Sequence, residues 1–397
     1  MGSPIRILQI ANRIPYPLND GGNIATWYVA HYLKSFGHIV DLAFLNTNKH
    51  FGNPSDIAGE YNKIFQTPIN TDITVFGLVK SFFSPLPYNI ERFKSSVFES
   101  QLIFILQNNT YDFIQLEGAY MALYIPILKK HSKAKIVLRS HNIEHKIWER
   151  LSKNTSNTFK KYFIEYLAKK IKIFENETLH NFDAIVAITN DDEVYYRNQD
   201  YKGVLTTIQA GFEDSLKSNI DKIPNSICFI GSMQWMPNKE GIDWFLSEIW
   251  PLIIAELPEA EFHIAGKGMD NSFSHWAGKG IVLHGLVPDA ADFIQNHRVF
   301  IVPLLSGGGM RLKVVEAMGL EMPIVSTRIG AEGIHYTAGQ DILISDTPAE
   351  IKESIKTLLC DQEYADTIAR NARLRAMNEY SWKELVARFE KMYKELE

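Results

Sequence analysis

Short apolar runs alternate with longer amphipathic stretches along most of the chain. The first run, Ile5 to Ile10, leads into a Pro-rich loop with Pro15 and Pro17, then Asp20-Gly21-Gly22. A helical pattern from about Ile24 to Phe36 follows, stopped by Gly37, and a second run spans Ile39 to Leu45. Compact apolar runs bounded by turn residues fit buried strands, and strand, glycine loop, helix and strand make one βαβ unit. Further strands are expected at Phe113 to Leu116, Lys135 to Leu138, Ala184 to Ile188 and Leu205 to Ile208, with a long helix over Asn157 to His180. The stretch Ile73 to Gln107 is apolar and aromatic around Pro85 and Pro87, and reads as helices about a turn.

A polar stretch from Glu213 to Asn225, ending near Pro224, separates this series from a second one. Its strands are expected at Ile227 to Ile230, Glu261 to Ala265, Ile281 to His284, Val299 to Pro303, Ile324 to Ser326 and Ile342 to Ile344, with helices filling the chain from Pro348 onward. Alternation of this kind predicts two α/β, doubly wound, Rossmann-like domains. Residues 1–212 would form the N-terminal domain and residues 213–379 the C-terminal one. The last helix, about residues 380–397, has the option of packing back on the first. Ligands of such sheets lie beyond the carboxyl ends of the strands, which points to a cleft faced by both domains.

Composition narrows the picture. The chain has 397 residues, enough for two cores, with 46% apolar and 22% charged residues, the balance of a globular protein. A net charge of -5 argues against a broad nucleic-acid-binding face. Cys228 and Cys360 form no CxxC pair, which disfavours a disulfide framework or thiolate metal cluster and fits a reducing compartment. No apolar run is long enough to span a bilayer, and Met1-Gly2-Ser3-Pro4 carries no secretory pattern, so a cytoplasmic location is expected.

The most informative stretch is VFIVPLLSGGGMRLKVVEAMGLEMPIVSTRIG, Val299 to Gly330. A strand ends near Leu304, Ser306-Gly307-Gly308-Gly309 turns the chain, and a helix is expected from about Met310, with Leu312, Val315 and Gly319 as its buried stripe. Glycines admit a ligand close to the backbone, and the free N–H groups and dipole of a helix start favour an anion. Arg311 and Lys313 oppose that dipole, a local conflict that points to function, and Glu316 is placed to accept hydrogen bonds from ribose hydroxyls. The bland alternative is a tight turn with Glu316 paired to Lys313.

These residues resemble the donor-binding segment of the retaining GT-B glycosyltransferases of family four, the group 1 glycosyltransferases, and in particular a bacterial branch reading GGG-x-R-x-K-x-x-E-A-M. The resemblance implies a GT-B fold, Glu316 on the ribose, and Arg311 and Lys313 neutralising the diphosphate leaving group. Many relatives carry a second Glu eight residues before the ribose acid; here that position is Gly308.

Gly21 and Gly22 resemble the family's N-terminal glycine loop, where backbone N–H groups approach phosphate or the donor sugar. Gly231-Ser232-Met233 falls where many relatives have Gly-Arg and then Lys; the Arg is absent and Lys239 lies further on. Gly266-Lys267-Gly268 and His284-Gly285-Leu286 also end strands, and the resemblance places them beside base and ribose. Gly307, Gly308, Gly309 and Met310 complete the donor set, and Ser326, Thr327, Gly330 and Gly333 close this side.

Arg139-Ser140-His141-Asn142-Ile143-Glu144-His145 contains the H-x-x-E-H spacing of inverted zinc peptidases. That chemistry needs both histidines on one helix, whereas His141 follows a strand and is expected in a loop. The resemblance instead places a His-Asn pair here, facing the donor sugar, with His141 bonding the transferring sugar or the acceptor. No metal is expected at the site: there is no D-x-D pair, and Arg311 and Lys313 take the charge role of a divalent ion.

The expected reaction is transfer of a sugar from a nucleotide-diphosphate-sugar to a hydroxyl of a saccharide or lipid-linked glycan, with retention implied by the resemblance and no cofactor besides the donor substrate. The Lys-rich, apolar stretch Asn157 to His180 is either an amphipathic helix packed on its own domain or a peripheral contact with the inner membrane surface. Rival classes are a sugar-nucleotide epimerase or phosphorylase on the same fold, a non-catalytic GT-B subunit, and a zinc peptidase.

Overall fold

The computed structural model describes residues 3–18, 21–74, 77–78, 81, 84–153, 155, 157–209, 211–213, 222–269, 273, 276–307 and 310–396. The chain divides into two units, Met1–Ala210 with Val386–Glu397, and Gly211–Leu385.

The first unit is built on a parallel seven-stranded sheet: β1 (Arg6–Ala11), β2 (Ile39–Thr47), β3 (Ile64–Ile69), β4 (Phe113–Glu117), β5 (Lys135–Ser140), β6 (Ala184–Ala187) and β7 (Val204–Thr207), in the order β3-β2-β1-β4-β5-β6-β7. The central strands are buried on both faces, as a parallel sheet covered by helices requires, so they are mostly apolar, interrupted in β1 and β4 by Gln9, Gln115 and Glu117. Strand β3 is the one that the apolar pattern passes over. Its run IFQTPI is polar in the middle and contains Pro68, which lacks an N–H and is tolerated because β3 is an edge strand.

The helices of this unit are α1 (Gly21–Ser35), α2 (Ser96–Asn108), α3 (Ile125–His131), α4 (Glu144–Lys153), α5 (Thr158–Leu179) and α6 (Asn190–Asn198). Asn157 caps α5 by accepting from the Lys160 N–H at 3.0 Å, and Ile164, Leu167, Ala168, Ile171 and Phe174 form its buried stripe. Of the stretch Ile73 to Gln107, the described part contains a one-turn helix, Tyr88–Glu91, and most of α2; the remainder of that reading lies partly outside the described residues.

The second unit holds a parallel six-stranded sheet: β8 (Ser226–Ile230), β9 (Glu261–Ala265), β10 (Ile281–Gly285), β11 (Val299–Val302), β12 (Ile324–Ser326) and β13 (Leu343–Ile344), in the order β10-β9-β8-β11-β12-β13. Its helices are α7 (Met236–Trp244), α8 (Trp250–Glu256), α9 (Ala290–Gln295), α10 (Leu312–Gly319), α11 (Pro348–Cys360) and α12 (Gln362–Tyr380). A π-turn over Phe245–Ile249 joins α7 to α8, next to Pro251, which cannot donate to a regular ladder. A final helix, α13 (Trp382–Leu396), starts in the second unit and ends in the first, where Tyr393 stacks on Phe113 with ring centroids 4.5 Å apart. The order in which successive strands are added reverses between β1 and β4 in one sheet and between β8 and β11 in the other; these are the switch points where such sheets bind ligands.

Candidate functional site

In the second unit the connections after β8 and β11 meet at the switch point. Helix α10 begins at Leu312, two residues later than the sequence pattern suggests, so Arg311 is the N-cap residue and not part of the first turn. Its extended backbone there, φ -92° and ψ 97°, is the non-helical geometry of a cap. Val315 and Gly319 of the expected stripe are buried, joined by Val314, Ala317 and Met318, whereas Leu312 is half-buried.

The Arg311 guanidinium lies over the Trp235 ring at 4.8 Å, a cation–π contact with the connection after β8. Burial lowers its pKa, with Glu332 opposing, though an arginine stays charged throughout the physiological range. Gly307 sits beneath this pair with φ +115°, and a Cβ there would come within 2.6 Å of the guanidinium and 3.1 Å of the Trp235 ring. Only glycine fits that space and that backbone. Lys313 donates to the Glu316 carboxylate one turn along. This is the bland pairing foreseen from the i,i+3 spacing, and it leaves Lys313 and Glu316 side by side on the half-buried face.

Small residues bring the neighbouring strand ends together. The Gly231 N–H donates to the Ala265 carbonyl at 3.1 Å, and the Gly266 N–H to the Gly285 carbonyl at 2.7 Å. A Cβ on Gly266, whose φ is +141°, would lie 1.9 Å from the Gly231 carbonyl oxygen. Gly231, Gly266 and Gly285 thus form one row across the ends of β8, β9 and β10. The Ser232 carbonyl accepts from Asn238 at 3.0 Å and from the Trp235 N–H at 3.2 Å, which fixes the turn that carries Trp235. Leu286 is strongly exposed just past β10. At the far side, the Thr327 hydroxyl donates to the Leu304 carbonyl at 2.6 Å and accepts from the Gly330 N–H at 3.0 Å, and Gly333 packs against Met310. Gly308 and Gly309 lie outside the described residues.

In the first unit, a buried polar cluster sits at the ends of β1, β4 and β5. Glu117 accepts from His141 Nε2 at 2.9 Å, from Gln9 at 3.2 Å and from Gln115 at 2.5 Å. The Thr26 hydroxyl lies between Glu117 (3.1 Å) and the Gly22 carbonyl (2.9 Å). Arg139, fully buried, donates to the Ala25 carbonyl at 2.6 Å and stacks on Phe389 at 5.3 Å. Burial alone would raise the Glu117 pKa; the hydrogen bond and charge of His141, the Arg139 charge and Gln115 outweigh it and hold the carboxyl below its usual range. An ionised Glu117 accepts only, so His141 Nε2 carries the proton of that bond. His141 Nδ1 is buried and has no hydrogen-bond partner among the described residues.

Gly21 and Gly22 are not a loop here: they form the first turn of α1. The Gly22 carbonyl is linked to His141 through Thr26 and Glu117. Glu117 was missed in the sequence because a charged residue ending an apolar run reads as a strand boundary; its pairing with His141 spans the crossover from β4 to β5. Trp235 was missed because nothing in the sequence tells a stacking Trp from a core one.

The H-x-x-E-H residues go to separate partners. His141 bonds Glu117, while His145 Nδ1 pairs with Glu175 of α5 at 2.6 Å. Glu175 also accepts the backbone N–H groups of Glu144 (2.8 Å) and His145 (3.2 Å), capping α4 from another helix. Burial pushes the Glu144 carboxyl up to about 7, with Glu175 adding to the rise and a Tyr120 hydrogen bond opposing it.

Two parallel-sheet α/β units of this build, each with its candidate residues at the switch point, define the GT-B fold. Residues 224–361 match the family described as Glycosyl transferases group 1, and with the fold this supports a GT-B glycosyltransferase. The chain is 26% identical over 361 residues to an uncharacterized 44.6 kDa protein in the cps region of Klebsiella pneumoniae, covering 86% of this chain and 87% of that one. It is 29% identical over 123 residues to the capsular polysaccharide biosynthesis glycosyltransferase CapM of Staphylococcus aureus, covering 30% and 32% of the two chains. The structure of Anabaena Alr3699/HepE in complex with UDP is similar in fold, with TM-score 0.65, 11% identity and coverage of 98% and 100%.

Proposed function

We propose that the protein transfers a sugar from a nucleotide-diphosphate-sugar to a hydroxyl of a saccharide or lipid-linked glycan, with retention of configuration, as a hexosyltransferase of the family-four type. Surface polysaccharide synthesis is the context that the cps-region and capsular relatives support. The observation that carries the reading is the Arg311 guanidinium, held on Trp235 over Gly307 at the cap of α10. A fixed cation and free N–H groups at one point stabilise charge that develops on a departing diphosphate, the task a divalent ion performs elsewhere. Lys313 leaves Glu316 to join the phosphates, and Glu316 then takes the ribose hydroxyls. The row Gly231, Gly266 and Gly285, with Ser232 and Leu286, borders the nucleoside, and Gly307 and Met310 lie against the phosphates.

In the first unit, Glu117 fixes the proton of His141 on Nε2, so Nδ1 is presented as an acceptor for a hydroxyl of the transferring sugar or the acceptor. The N–H groups of Gly21 and Gly22 approach the donor at the start of α1. Among the described residues no helix is long and apolar enough to cross a membrane. A cytoplasmic enzyme resting on the membrane surface is the reading we favour, because Phe159 and Tyr162 stand exposed beside Lys160 and Lys161 at the start of α5.

The test is nucleoside diphosphate release from a panel of nucleotide-sugars with saccharide and lipid-linked acceptors. Acceptor-dependent turnover that is lost in Arg311→Ala is expected. Tight nucleotide binding with no turnover on any acceptor would favour a non-catalytic subunit, a reading motivated by Gly308 where many relatives carry Glu. The absence of both binding and turnover would overturn the proposal.

A further inference from the structure

His263 on β9, His284 on β10 and His297 just after α9 gather at the edge of the second sheet, each offering a ring nitrogen within 4.8 Å of the others. We propose that these three imidazoles form a metal site for a divalent first-row cation, with zinc as the best chemical match, separate from the phosphate-binding residues and independent of the transferase reading.

Two of the three rings are already oriented as metal-bound histidines are. A ligating imidazole donates its other N–H to a carboxylate or a backbone carbonyl, which fixes the tautomer and directs the lone pair. His297 Nδ1 donates to the Phe293 carbonyl at 2.7 Å, leaving Nε2 as the lone-pair nitrogen. That Nε2 is buried without a hydrogen-bond partner among the described residues, an arrangement that costs stability unless something occupies it. His263 Nε2 lies 3.2 Å from Glu261 Oε2, so its Nδ1 lone pair faces inward, 2.9 Å from His284 Nε2. Zn–N bonds of about 2.0–2.1 Å at tetrahedral angles set nitrogens about 3.4 Å apart, so His263 and His284 need to separate by only about half an ångström.

The backbone is adapted as well. The β9–β10 register shifts between Leu283 and Gly285, which makes His284 the extra residue of a bulge on an edge strand. Bulges are rare in parallel pairing, and they re-aim one side chain. Here the re-aimed ring stacks over His263 with centroids 5.2 Å apart. Three imidazole nitrogens suit zinc better than calcium or magnesium, which prefer oxygen.

The test is titration of the chelator-stripped full chain with Zn²⁺ against a colorimetric chelator, alongside Co²⁺ absorption as a report of coordination. One equivalent is expected to bind, with a four-coordinate Co²⁺ spectrum and an upward shift in melting temperature. His284→Ala, at the exposed member, is expected to abolish the spectrum while leaving the fold intact by circular dichroism. Glu261→Gln is expected to weaken binding about 10–100-fold. His145→Gln is expected to bind as the parent does. The proposal is overturned if the parent binds no stoichiometric ion, if His284→Ala binds unchanged, or if binding depends on His145.

Discussion

Glu117 Oε2 and His141 Nε2 lie 2.9 Å apart, joining the ends of the neighbouring strands β4 and β5. The pair turns a histidine of ambiguous tautomer into one with a defined donor side and a defined acceptor side. His141→Ala should lower turnover at saturating donor by about 10²–10³-fold, the scale of a well-placed polar contact to a reacting group. Nucleoside diphosphate affinity should stay within about twofold, because the residues proposed to bind the phosphates at α10 lie in the other unit. Steady-state kinetics alongside calorimetric binding of the nucleoside diphosphate reads both numbers; an equal loss in both would remove His141 from the reacting end.

Arg311→Ala should weaken nucleoside diphosphate binding by about 1.5–3 kcal/mol, the worth of a hydrogen bond to a charged group. Arg311→Lys should recover only part of that loss, since an ammonium cannot reproduce a planar guanidinium stacked on Trp235. Calorimetry on the three proteins is the measurement, and full recovery by lysine would mean that Arg311 acts as a point charge alone.

Glu316→Ala should cost about 1–3 kcal/mol of nucleotide affinity. The parent should prefer its nucleoside diphosphate over the 2′,3′-dideoxy analogue of that nucleotide, and the variant should not. A variant that keeps the preference would place the ribose elsewhere.

Gly266→Ala should destabilise the second unit by about 3 kcal/mol, combining overpacking with a strained positive φ. Its Cβ would lie 1.9 Å from the Gly231 carbonyl oxygen, backbone that cannot swing aside. Chemical denaturation followed by tryptophan fluorescence measures the loss; a stability equal to the parent's would refute the close approach.

Glu144 gives a pH dependence with a definite sign. Its folded pKa, about 7, lies above that of the unfolded chain, so the folded state binds the proton more tightly. Its contribution is fully present below about pH 4.3, declines as pH rises, and is gone above about pH 7. Glu144→Gln should therefore gain stability relative to the parent on moving from pH 5 to pH 8. Urea midpoints at the two pH values read it, and parallel curves would show that Glu144 does not titrate in that range.

Twelve strands were legible because parallel strands buried on both faces need mostly apolar runs, and the glycine turns between them mark where each ends. β3 was hidden by its edge position, which permits Pro68 and polar residues. In the site, Arg311, Lys313 and Glu316 stood out because cations at a helix start contradict the local dipole. Glu117 and Trp235 did not, because each acts through a partner distant in sequence, and no local pattern encodes such a contact. The start of α1 was misplaced because glycine signals a turn, although the first turn of a helix tolerates it at modest cost.

The route of the last helix has a consequence for biosynthesis. Tyr393 donates to Gln115 within the core of the first unit, and Phe389 lies against Arg139. They cover strands made hundreds of residues earlier. The amino-terminal unit therefore cannot reach its finished state as it emerges. It must wait, with an arginine and a glutamine still uncovered, until Phe389 and Tyr393 have been made, and that interval leaves it exposed to misfolding.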